Sequence, residues 1–435
     1  MYKFLLRYSS EIFTKSEITK KKLLKILENN LKTAFENSKI TLNRDRGFIE
    51  SEEDISNKLK NVFGISSFSK VQEIEFNSFE QLIEKAYEFF KEKVKDNFKV
   101  ICKRVGNHNF HSYDVERVLG EKLSKHKKVN VKEPEYIVYI EIRNNIAYLF
   151  DEKIKGFGGF PISSQGKGLV LISGGIDSAV SAFLSYKMGL DCEFLFYDLG
   201  GNTIDYAFNV YRFLIENYGI SSKGKFYYVD FKEIMFYIIK EVKDSYRNIV
   251  LKAFFYKIAN EIAKKLNLDV IITGESMGQV STQTLENLII LNSFSEKFIV
   301  RPLITFTKEE IISKAMEIGV FDICYKGKEY CALSKHSAIT KANKSKLLYY
   351  IEKIPNDIIE SAINNYKIIE ELNQKPEISK NYDILIDLDR LNIEDFVNNL
   401  DKLDKSKVYF LKCQKGQLSS IIGKEMEKLG FKVIF

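Results

Sequence analysis

The sequence predicts a multidomain α/β protein, on three grounds. The chain has 435 residues, 45% hydrophobic and 29% charged, a composition ordinary for a globular protein with several cores. From residue 166 to about 345, apolar strand patterns alternate with helical patterns, which is typical of a parallel sheet with helices on both faces. A glycine- and serine-rich linker at residues 156–168 separates this region from two smaller α/β units.

Composition also indicates the compartment. No apolar run approaches the roughly 18 residues of a membrane helix, and the start MYKFLLRYSSEIF lacks the apolar core and cleavage site of an export signal. The cysteines are too few and too scattered for a secreted disulfide framework. They are Cys102, Cys192, Cys324, Cys331 and Cys413. We therefore expect a cytoplasmic protein with reduced thiols and no membrane partner.

Residues 1–75 are predicted to form a small α/β unit. It opens with a strand at 2–8, and strand patterns recur at 47–49 and 71–74. Between them, a lysine-rich helix is predicted because apolar residues recur at every fourth position and form one stripe. These residues are Leu23, Leu27, Leu31 and Phe35.

Residues 76–165 are predicted to form a second α/β unit with a basic surface. Helices are expected at 79–93 and 113–123, strands at 98–104, 136–142 and 147–154, and a tight turn at Asn144–Asn145. From Lys91 to Lys132 the chain has twelve Lys or Arg residues against five Asp or Glu, together with His108, His111 and His126. This excess fits a nucleic-acid backbone, although a lysine-rich face in solvent explains the composition equally well.

Residues 166–345 are predicted to form the parallel-sheet domain. Its strands are expected at 169–172, 193–197, 226–229, 270–273 and 298–304. Its helices are expected at 179–188, 205–218, 251–266 and 308–318. Residues 346–380 are expected to be a mostly helical linker, and residues 381–435 a short α/β piece.

The stretch LVLISGGIDS, residues 169–178, has the pattern of a phosphate-binding turn. An apolar strand leads into glycines and then into a helix start, where backbone N–H groups and the helix dipole favour an anion. Glycine allows the backbone to approach the ligand closely. The Walker motif is absent, so this is a different kind of phosphate loop. A glycine turn without a ligand is the alternative.

Further polar residues follow predicted strands. The loop TGESMGQVSTQT, residues 273–284, combines glycines and hydroxyls in a composition suited to hydrogen-bonding a ligand. Arg301 and Lys308 offer cations for a pyrophosphate, and Lys252 lies at the predicted start of a helix. Without further context, a solvent-exposed side chain is the simpler interpretation of each lysine.

These motifs resemble known families. SGG-x-DS resembles the signature of PP-loop ATP pyrophosphatases, and the stretches FKVICKRVGNHNFHS and EPEYIVYIEIRNNIAYLFDEKIKGFGGFP resemble a THUMP domain. SGGIDS, FYDLGG, TGESMGQVSTQT, RPLITFTKEEII and EYCALSKHSAITKANKSK, in this order, resemble the tRNA 4-thiouridine synthetase (tRNA sulfurtransferase) family. The resemblance implies a ferredoxin-like α+β domain at 1–75 and a THUMP RNA-binding α/β domain at 76–165. It further implies a parallel-sheet PP-loop (adenine nucleotide α-hydrolase-like) domain at 166–345 and, after the linker, a shortened rhodanese-like α/β tail at 381–435.

The resemblance also implies which residues bind ATP. Ser173, Gly174, Gly175 and Ser178 belong to the phosphate turn, and Asp177 matches the PP-loop aspartate, with a catalytic role. The other residues that match the family's ATP contacts are Leu171, Ile172, Lys252, Gly274, Gln283 and Lys308. Magnesium is expected to accompany ATP. No C-x-x-C occurs, so a zinc or iron–sulfur site has little support.

Two cysteines are candidates for the sulfur chemistry. Cys413 follows the apolar strand VYFLK and precedes a helix, where backbone N–H groups stabilise a thiolate. A buried structural cysteine is the alternative for such a residue taken alone. By resemblance to a rhodanese active loop, Cys413 carries a persulfide, and Cys331 matches the family cysteine that resolves it as a disulfide. Cys102 and Cys192 lie in apolar strand patterns and are expected in the core, whereas Cys324 matches no assigned position.

The reaction implied by the resemblance is ATP-dependent adenylation of the uracil C4 oxygen at position 8 of tRNA, followed by sulfur transfer from Cys413. A cysteine desulfurase or another sulfur donor is the implied partner, and some members supply sulfur for the thiamine thiazole. The sequence leaves open whether the protein forms a homodimer. Two alternatives remain: a tRNA-binding protein with a vestigial thiol module, and another PP-loop adenylating synthetase, such as a small-molecule amidating enzyme.

Overall fold

The computed structural model describes residues 1–201, 203–324, 338–372, 382–414 and 416–435. The chain divides into two compact units, Met1–Ser164 and Gln165–Phe435. Within these described ranges, no helix is both long and apolar enough to cross a bilayer.

The first unit contains strands and helices of both predicted α/β pieces. In chain order they are β1 (Tyr2–Tyr8), α1 (Ser10–Phe13), α2 (Glu17–Ala34), β2 (Lys39–Leu42), β3 (Gly47–Ser51), α3 (Ser56–Leu59), β4 (Ile65–Lys70), β5 (Gln72–Glu75), α4 (Phe79–Phe90), β6 (Asn97–Val105), α5 (Ser112–Leu123), β7 (Lys128–Val129), β8 (Tyr136–Arg143), β9 (Ile146–Phe150) and β10 (Ile154–Lys155).

Two sheets organise this unit. One has the antiparallel order β10-β4-β1-β3-β2, and the other has the mixed order β5-β9-β8-β6-β7. Leu23, Leu27 and Leu31 are all buried, so the predicted stripe of α2 covers a sheet. β8 and β9 meet at the predicted turn, where Asn144 adopts φ +52°, a left-handed conformation that asparagine tolerates. These parts of the fold prediction are confirmed.

A buried carboxylate joins elements of the two sheets. Glu141 of β8 accepts from Arg46 Nε at 2.7 Å and Arg143 Nη2 at 3.0 Å, and Arg7 Nη2 of β1 lies 3.5 Å away. Burial alone would raise the pKa of Glu141, but the three arginines outweigh burial and hold that pKa below its usual value. The ionised carboxylate therefore binds these arginines together inside the unit.

The second unit contains a large sheet followed by a small one. Its elements in chain order are β11 (Lys167–Leu171), α6 (Ile176–Lys187), β12 (Asp191–Asp198), α7 (Ile204–Asn217), β13 (Phe226–Asp230), α8 (Lys232–Glu241), α9 (Asp244–Lys265), β14 (Val270–Ile272), α10 (Leu285–Asn292), β15 (Phe298–Val300), α11 (Lys308–Glu317), α12 (Lys344–Glu352), α13 (Asn356–Asn364), β16 (Lys367–Ile369), β17 (Ile384–Asp387), α14 (Ile393–Asn398), β18 (Val408–Lys412), α15 (Gln417–Lys428) and β19 (Lys432–Ile434).

The large sheet has the order β15-β14-β11-β12-β13-β16 and is parallel except for β16. The small sheet is parallel, with the order β17-β18-β19. One continuous apolar core joins them, because it contains Phe254 of α9, Leu347 of α12 and Met426 of α15. The parallel-sheet prediction is confirmed, and β11 lies centrally with its carboxyl end at the glycine turn.

Several predicted boundaries differ from the structure. Helix α9 begins at Asp244 instead of 251, because the buried Arg247 is held by the carbonyls of Val242 and Ile239. Lys252 is therefore in mid-helix instead of at the helix start. Helix α8 was not predicted, since its nearly continuous apolar sequence fits a strand as well as a helix.

Two further differences concern strands. β15 ends at Val300, four residues before the predicted end, because Arg301 turns to partners outside the sheet and Pro302 has no N–H for a ladder. The segment expected to be a mostly helical linker contains β16, which pairs with β13 in the sheet. The described part of that segment thus completes the large sheet.

Candidate active site

The glycine turn after β11 is held by its own polar groups. Ser178 Oγ donates to the carbonyl of Gly175 at 3.0 Å and accepts from Ser173 N at 3.3 Å. Gly174 has φ +84°, and a Cβ there would lie 2.7 Å from the backbone nitrogen of Ala207. Only glycine fits this conformation and this space, so the shape of the turn depends on glycine at position 174.

The loop after β14 packs directly on the start of α6. A Cβ on Gly274 would lie 2.7 Å from the carbonyl carbon of Asp177, and Ser181 Oγ donates to the Thr273 carbonyl at 2.8 Å. The two strand-end loops are therefore one structure. Their shared edge is the carboxyl end of the sheet, where ligands bind in parallel α/β folds.

Asp177 and Lys308 form an ion pair at this edge. Lys308 Nζ donates to Asp177 Oδ1 at 2.7 Å, and both side chains keep solvent contact. Lys308 begins α11, whose start is fixed by a capping box between Thr307 and Glu310. The pair puts one partly exposed cation and one carboxylate beside the glycine turn.

Behind the turn, a buried carboxylate gathers two cations. Glu275 is only 2% exposed; Arg301 Nε donates to its Oε2 at 2.9 Å, and Lys252 Nζ lies 3.5 Å from its Oε1. The hydroxyl of Tyr256 also donates to Glu275. Burial would raise the pKa of this carboxyl, but Lys252 and Arg301 outweigh burial and hold the pKa below its usual value. Arg301, expected to be available to a pyrophosphate, is thus committed to protein partners.

The other predicted ATP contacts lie along the same edge. Leu171 ends β11, and the N–H of Ile172 continues the sheet by donating to the Leu195 carbonyl at 3.0 Å. Gln283 lies in a short 3-10 turn after the glycine loop, and its buried Oε1 has no hydrogen-bond partner among the residues that the structure describes. An unpaired buried acceptor is costly in a protein interior, so it indicates a position for a ligand donor.

Cys413 lies in a cradle between β18 and α15. The backbone N–H of Ser419 donates to its Sγ at 3.4 Å, and Ser419 Oγ lies 3.5 Å away. The sulfur therefore has one backbone donor from the first turn of α15 and one hydroxyl acceptor, Ser419 Oγ. The side chain is half-buried, so the sulfur is held but still reachable.

Of the other four cysteines, the three that the structure describes are buried. Burial raises the pKa of Cys102 to about 12 and that of Cys192 well above its usual range, so both are core thiols as predicted. Cys324 is also buried. Cys331 lies outside the described residues.

The basic segment of the first unit is a surface. Of its twelve Lys and Arg residues, the structure buries none. Two of its histidines are structural: His108 bonds the Asn144 carbonyl at 2.6 Å, and the N–H of His111 donates to Asp114 at 2.7 Å as α5 begins. The charge excess is therefore displayed to solvent.

Comparisons with known proteins identify the family. The family model described as "Thiamine biosynthesis protein (ThiI)" matches residues 163–355, the THUMP domain model matches 76–152, and the ThiI ferredoxin-like domain model matches 3–69. The tRNA sulfurtransferase of Desulfurococcus amylolyticus is 32% identical over 464 residues, covering 99% of this chain and 95% of the relative. That of Vibrio atlanticus is 32% identical over 476 residues, covering 99% and 98%.

The chain belongs to the tRNA sulfurtransferase family. It is therefore an enzyme, and the ferredoxin-like, THUMP and PP-loop parts of the fold prediction are confirmed. A crystal structure of a 4-thiouridine synthetase–RNA complex with bound ATP matches with TM-score 0.76 and 26% identity, over 85% of this chain and 99% of that chain. PH1313 from Pyrococcus horikoshii shares the fold, with TM-score 0.56, 21% identity and 73% of this chain covered.

Sequence reasoning missed two carboxylates at this edge. Glu275 was not singled out as a counterion, because Lys252 comes from the middle of α9 and Arg301 from the end of β15. Asp198, at the end of β12, accepts a hydrogen bond from Gly200 N at 3.0 Å and also forms an ion pair with Lys232 Nζ. No sequence signal joined these residues, because their partners come from separate elements.

Proposed function

We propose that this member of the tRNA sulfurtransferase family uses ATP to convert a uridine of tRNA, at position 8 by resemblance, into 4-thiouridine. The observation that carries the proposal is the glycine turn with Asp177 and Lys308 beside it. The ATP and RNA bound to the solved 4-thiouridine synthetase support it.

ATP would bind at the carboxyl edge of the large sheet. The backbone of Ser173, Gly174 and Gly175, with the start of α6, would hold phosphate oxygens. Lys308 and Lys252 are the cations available to them, and the unpaired Gln283 Oε1 is an acceptor for a donor on ATP. Mg²⁺ would be held chiefly by the phosphates and water, with Asp177 as the nearby carboxylate.

Activation would make the uracil oxygen a good leaving group. The C4 oxygen attacks the α-phosphorus, the bond from that phosphorus to the bridging oxygen breaks, and pyrophosphate leaves while the N3 proton is lost. Fixed backbone donors and lysines stabilise the negative charge that moves onto the pyrophosphate. The product is a C4–O–AMP adduct.

Sulfur would then arrive from Cys413 as a persulfide. Its terminal sulfur attacks C4, a C–S bond forms, and the C–O bond breaks as AMP leaves. The C4–S–S–Cys413 disulfide is opened by the Cys331 thiolate, which bonds to Cys413 Sγ. The electron pair of the broken S–S bond stays on the sulfur at C4, and N3 regains a proton. The two cysteines lose two electrons and the transferred sulfur gains two, so a dithiol must reduce the new disulfide before the next turnover.

The first unit would bind the tRNA. Its exposed lysines and arginines and its THUMP match support a phosphate-backbone contact. A cysteine desulfurase is the proposed sulfur source. This surface argues against a small-molecule amidating synthetase, because a free metabolite needs no such surface.

Nucleoside mass spectrometry tests the proposal. tRNA incubated with enzyme, ATP, cysteine, a cysteine desulfurase and a dithiol should contain 4-thiouridine, and Cys413→Ala should lose multi-turnover formation. Full activity in Cys413→Ala would overturn the persulfide route. Binding of tRNA without ATP-dependent pyrophosphate release would instead favour a binding protein with a vestigial thiol module.

A second acceptor of the sulfur, the thiamine thiazole, has separate support. The matching family model is described as a thiamine biosynthesis protein. We therefore propose that Cys413 also supplies sulfur for the thiamine thiazole. Restoration of growth in a strain that lacks this sulfur transfer, by the wild-type chain but not by Cys413→Ala, is the expected result.

A further inference from the structure

Helix α15 connects the Cys413 cradle to the large sheet. It begins at Gln417, four residues after Cys413, and packs against α8. Its Ile421, Ile422 and Met426 are buried in the same apolar core as Met235 of α8. The small sheet therefore shares the core of the catalytic sheet and does not form a separate domain.

The loop after β12 touches the first turn of α15. A Cβ on Gly200 would lie 2.9 Å from the Gln417 carbonyl oxygen and 3.4 Å from Ser420 Cβ. Asp198 Oδ1 accepts from Gly200 N at 3.0 Å and fixes that loop. The backbone next to the cradle is thus in contact with the loop that leads from β12 into α7.

This contact lies at the edge that carries the glycine turn. β11 and β12 are adjacent parallel strands, so their following loops emerge at the same edge. The space above Gly174 is closed by Ala207 of α7, and α7 follows the Gly200 loop. The Cys413 cradle therefore lies against the connection from β12 to α7, and the phosphate turn lies against the first turn of α7.

Charges fix the register of α15. Lys232 Nζ of α8 bonds Asp198 and lies 3.2 Å from Asp230 Oδ1, while the other oxygen of Asp230 accepts from Lys424 of α15. One turn further along, Lys428 Nζ lies 2.6 Å from Glu233 Oε2. Solvent-exposed pairs of this kind add little stability, but they select one orientation of a surface that apolar burial holds in place.

We propose that α15 is a fixed docking helix, and that Lys424 and Lys428 are positioning residues that hold the Cys413 cradle at the adenylation edge. The inference rests on the proposed function of Cys413. Docking gives the small three-stranded sheet a share in a larger apolar core, because a small folding unit alone buries a smaller fraction of its surface. It also holds the persulfide near the activated C4, where a displacement of about 1 Å can cost about a hundredfold in rate.

The test uses full-length enzyme in which Cys413 is first loaded with persulfide by a cysteine desulfurase and cysteine. The double variant Lys424→Glu/Lys428→Glu sets like charges opposite Asp230 and Glu233. Single-turnover sulfur transfer to tRNA should fall by about tenfold or more. Pyrophosphate release and the persulfide mass on Cys413 should stay at wild-type levels.

Two further variants separate positioning from general damage. Lys407→Glu/Lys432→Glu changes two exposed lysines of the tail by the same charge and should transfer sulfur at the wild-type rate. Adding Glu233→Lys to the double variant restores a pair with residue 428 in reversed polarity and should recover most of the lost rate. Lys428→Glu with and without Glu233→Lys gives the same comparison if the double variant does not fold.

The outcomes distinguish the docking proposal from the proposed function. Wild-type transfer by the double variant, a parallel fall in pyrophosphate release, or failure of Glu233→Lys to restore the rate would overturn the docking role. Full transfer by Cys413→Ser in the same assay would overturn the persulfide function itself, whatever the docking variants do.

Discussion

Lys308 Nζ lies 2.7 Å from Asp177 Oδ1 although the two residues are 131 positions apart. The pairing arises because α11 packs against α6, which brings the starts of the two helices together. Lys308 is 46% exposed on its side chain, so the pair is weak in water. Under the proposed function, this lysine exchanges Asp177 for a phosphate of ATP.

The first prediction concerns this pair. Asp177→Ala and Lys308→Ala should each lower ATP-dependent pyrophosphate release by at least about a hundredfold, the scale observed when one preorganised stabilising group is removed. Because the basic surface of the first unit is unchanged, tRNA affinity measured by filter binding should stay constant.

Lys314→Ala is the matched control, because Lys314 is on the same helix and, within the described part of the chain, forms a local ion pair with Glu317 at i,i+3. It should keep wild-type pyrophosphate release. Equal activity of Lys308→Ala and Lys314→Ala would show that the Asp177 contact has no role in adenylation.

The candidate site was predictable wherever residues adjacent in sequence carry the chemistry. The glycine turn, the Gly274 loop and the Cys413 loop each follow an apolar strand, and strand order brings the first two together. Glu275 was not predictable as a counterion, since its burial between Lys252 and Arg301 depends on a helix and a strand end far apart in the chain.

The fold was predictable for the same physical reason. Period-four apolar positions marked α2, and alternating strands and helices marked the parallel sheet. The apolar run of α8 fits both periods, and β16 has only three residues, so tertiary packing decides both. Docking of α15 on α8 buries apolar residues of both helices, and the ion pairs that orient it join residues far apart in the chain, so no local pattern reveals it.

The second prediction compares two glycines of one loop. Gly274→Ala would place a methyl group 2.7 Å from the Asp177 carbonyl carbon and push the loop from the start of α6. Pyrophosphate release should fall by at least about tenfold, with a loss of about 1–3 kcal/mol in unfolding free energy from overpacking.

Gly278→Ala is the control in the same loop, where nothing lies within 4 Å of an added Cβ although φ is +81°. It should show only the stability cost of a left-handed alanine, about 1–2 kcal/mol, with little change in the KM for ATP. A larger kinetic defect in Gly278→Ala than in Gly274→Ala would contradict the close packing as the cause.

The third prediction uses the unpaired acceptor. Gln283→Leu removes a buried oxygen that accepts a hydrogen bond from none of the described residues, so the Tm without ATP should stay constant or rise. The stabilisation that ATP adds in thermal unfolding should shrink, because the acceptor for ATP is gone. Gln279→Leu is the control, since Gln279 Nε2 already donates to the Phe306 carbonyl at 3.4 Å. Unchanged ATP stabilisation in Gln283→Leu would exclude this residue from the ATP site.

The fourth prediction concerns the buried Glu141 of the first unit. Glu141→Gln removes the negative charge that three largely buried arginines share, so unfolding free energy near pH 7 should fall by about 3–5 kcal/mol. Glu73→Gln is the control, because its pair with Lys3 is partly solvated and should cost at most about 1 kcal/mol. Urea unfolding followed by circular dichroism measures both.

The pH dependence of Glu141→Gln checks the cause of that loss. The arginines hold the pKa of Glu141 below its usual value of 4.5, so the carboxylate stabilises the folded state above that pH. As the pH falls from 4.5 through the lower pKa of the folded protein, Glu141 takes up a proton and the stabilisation disappears. The difference between wild type and Glu141→Gln should therefore be constant from pH 6 to 7 and shrink below about pH 4. A difference that stays constant down to about pH 3 would mean that side-chain packing, and not the ionised carboxylate, accounts for the loss.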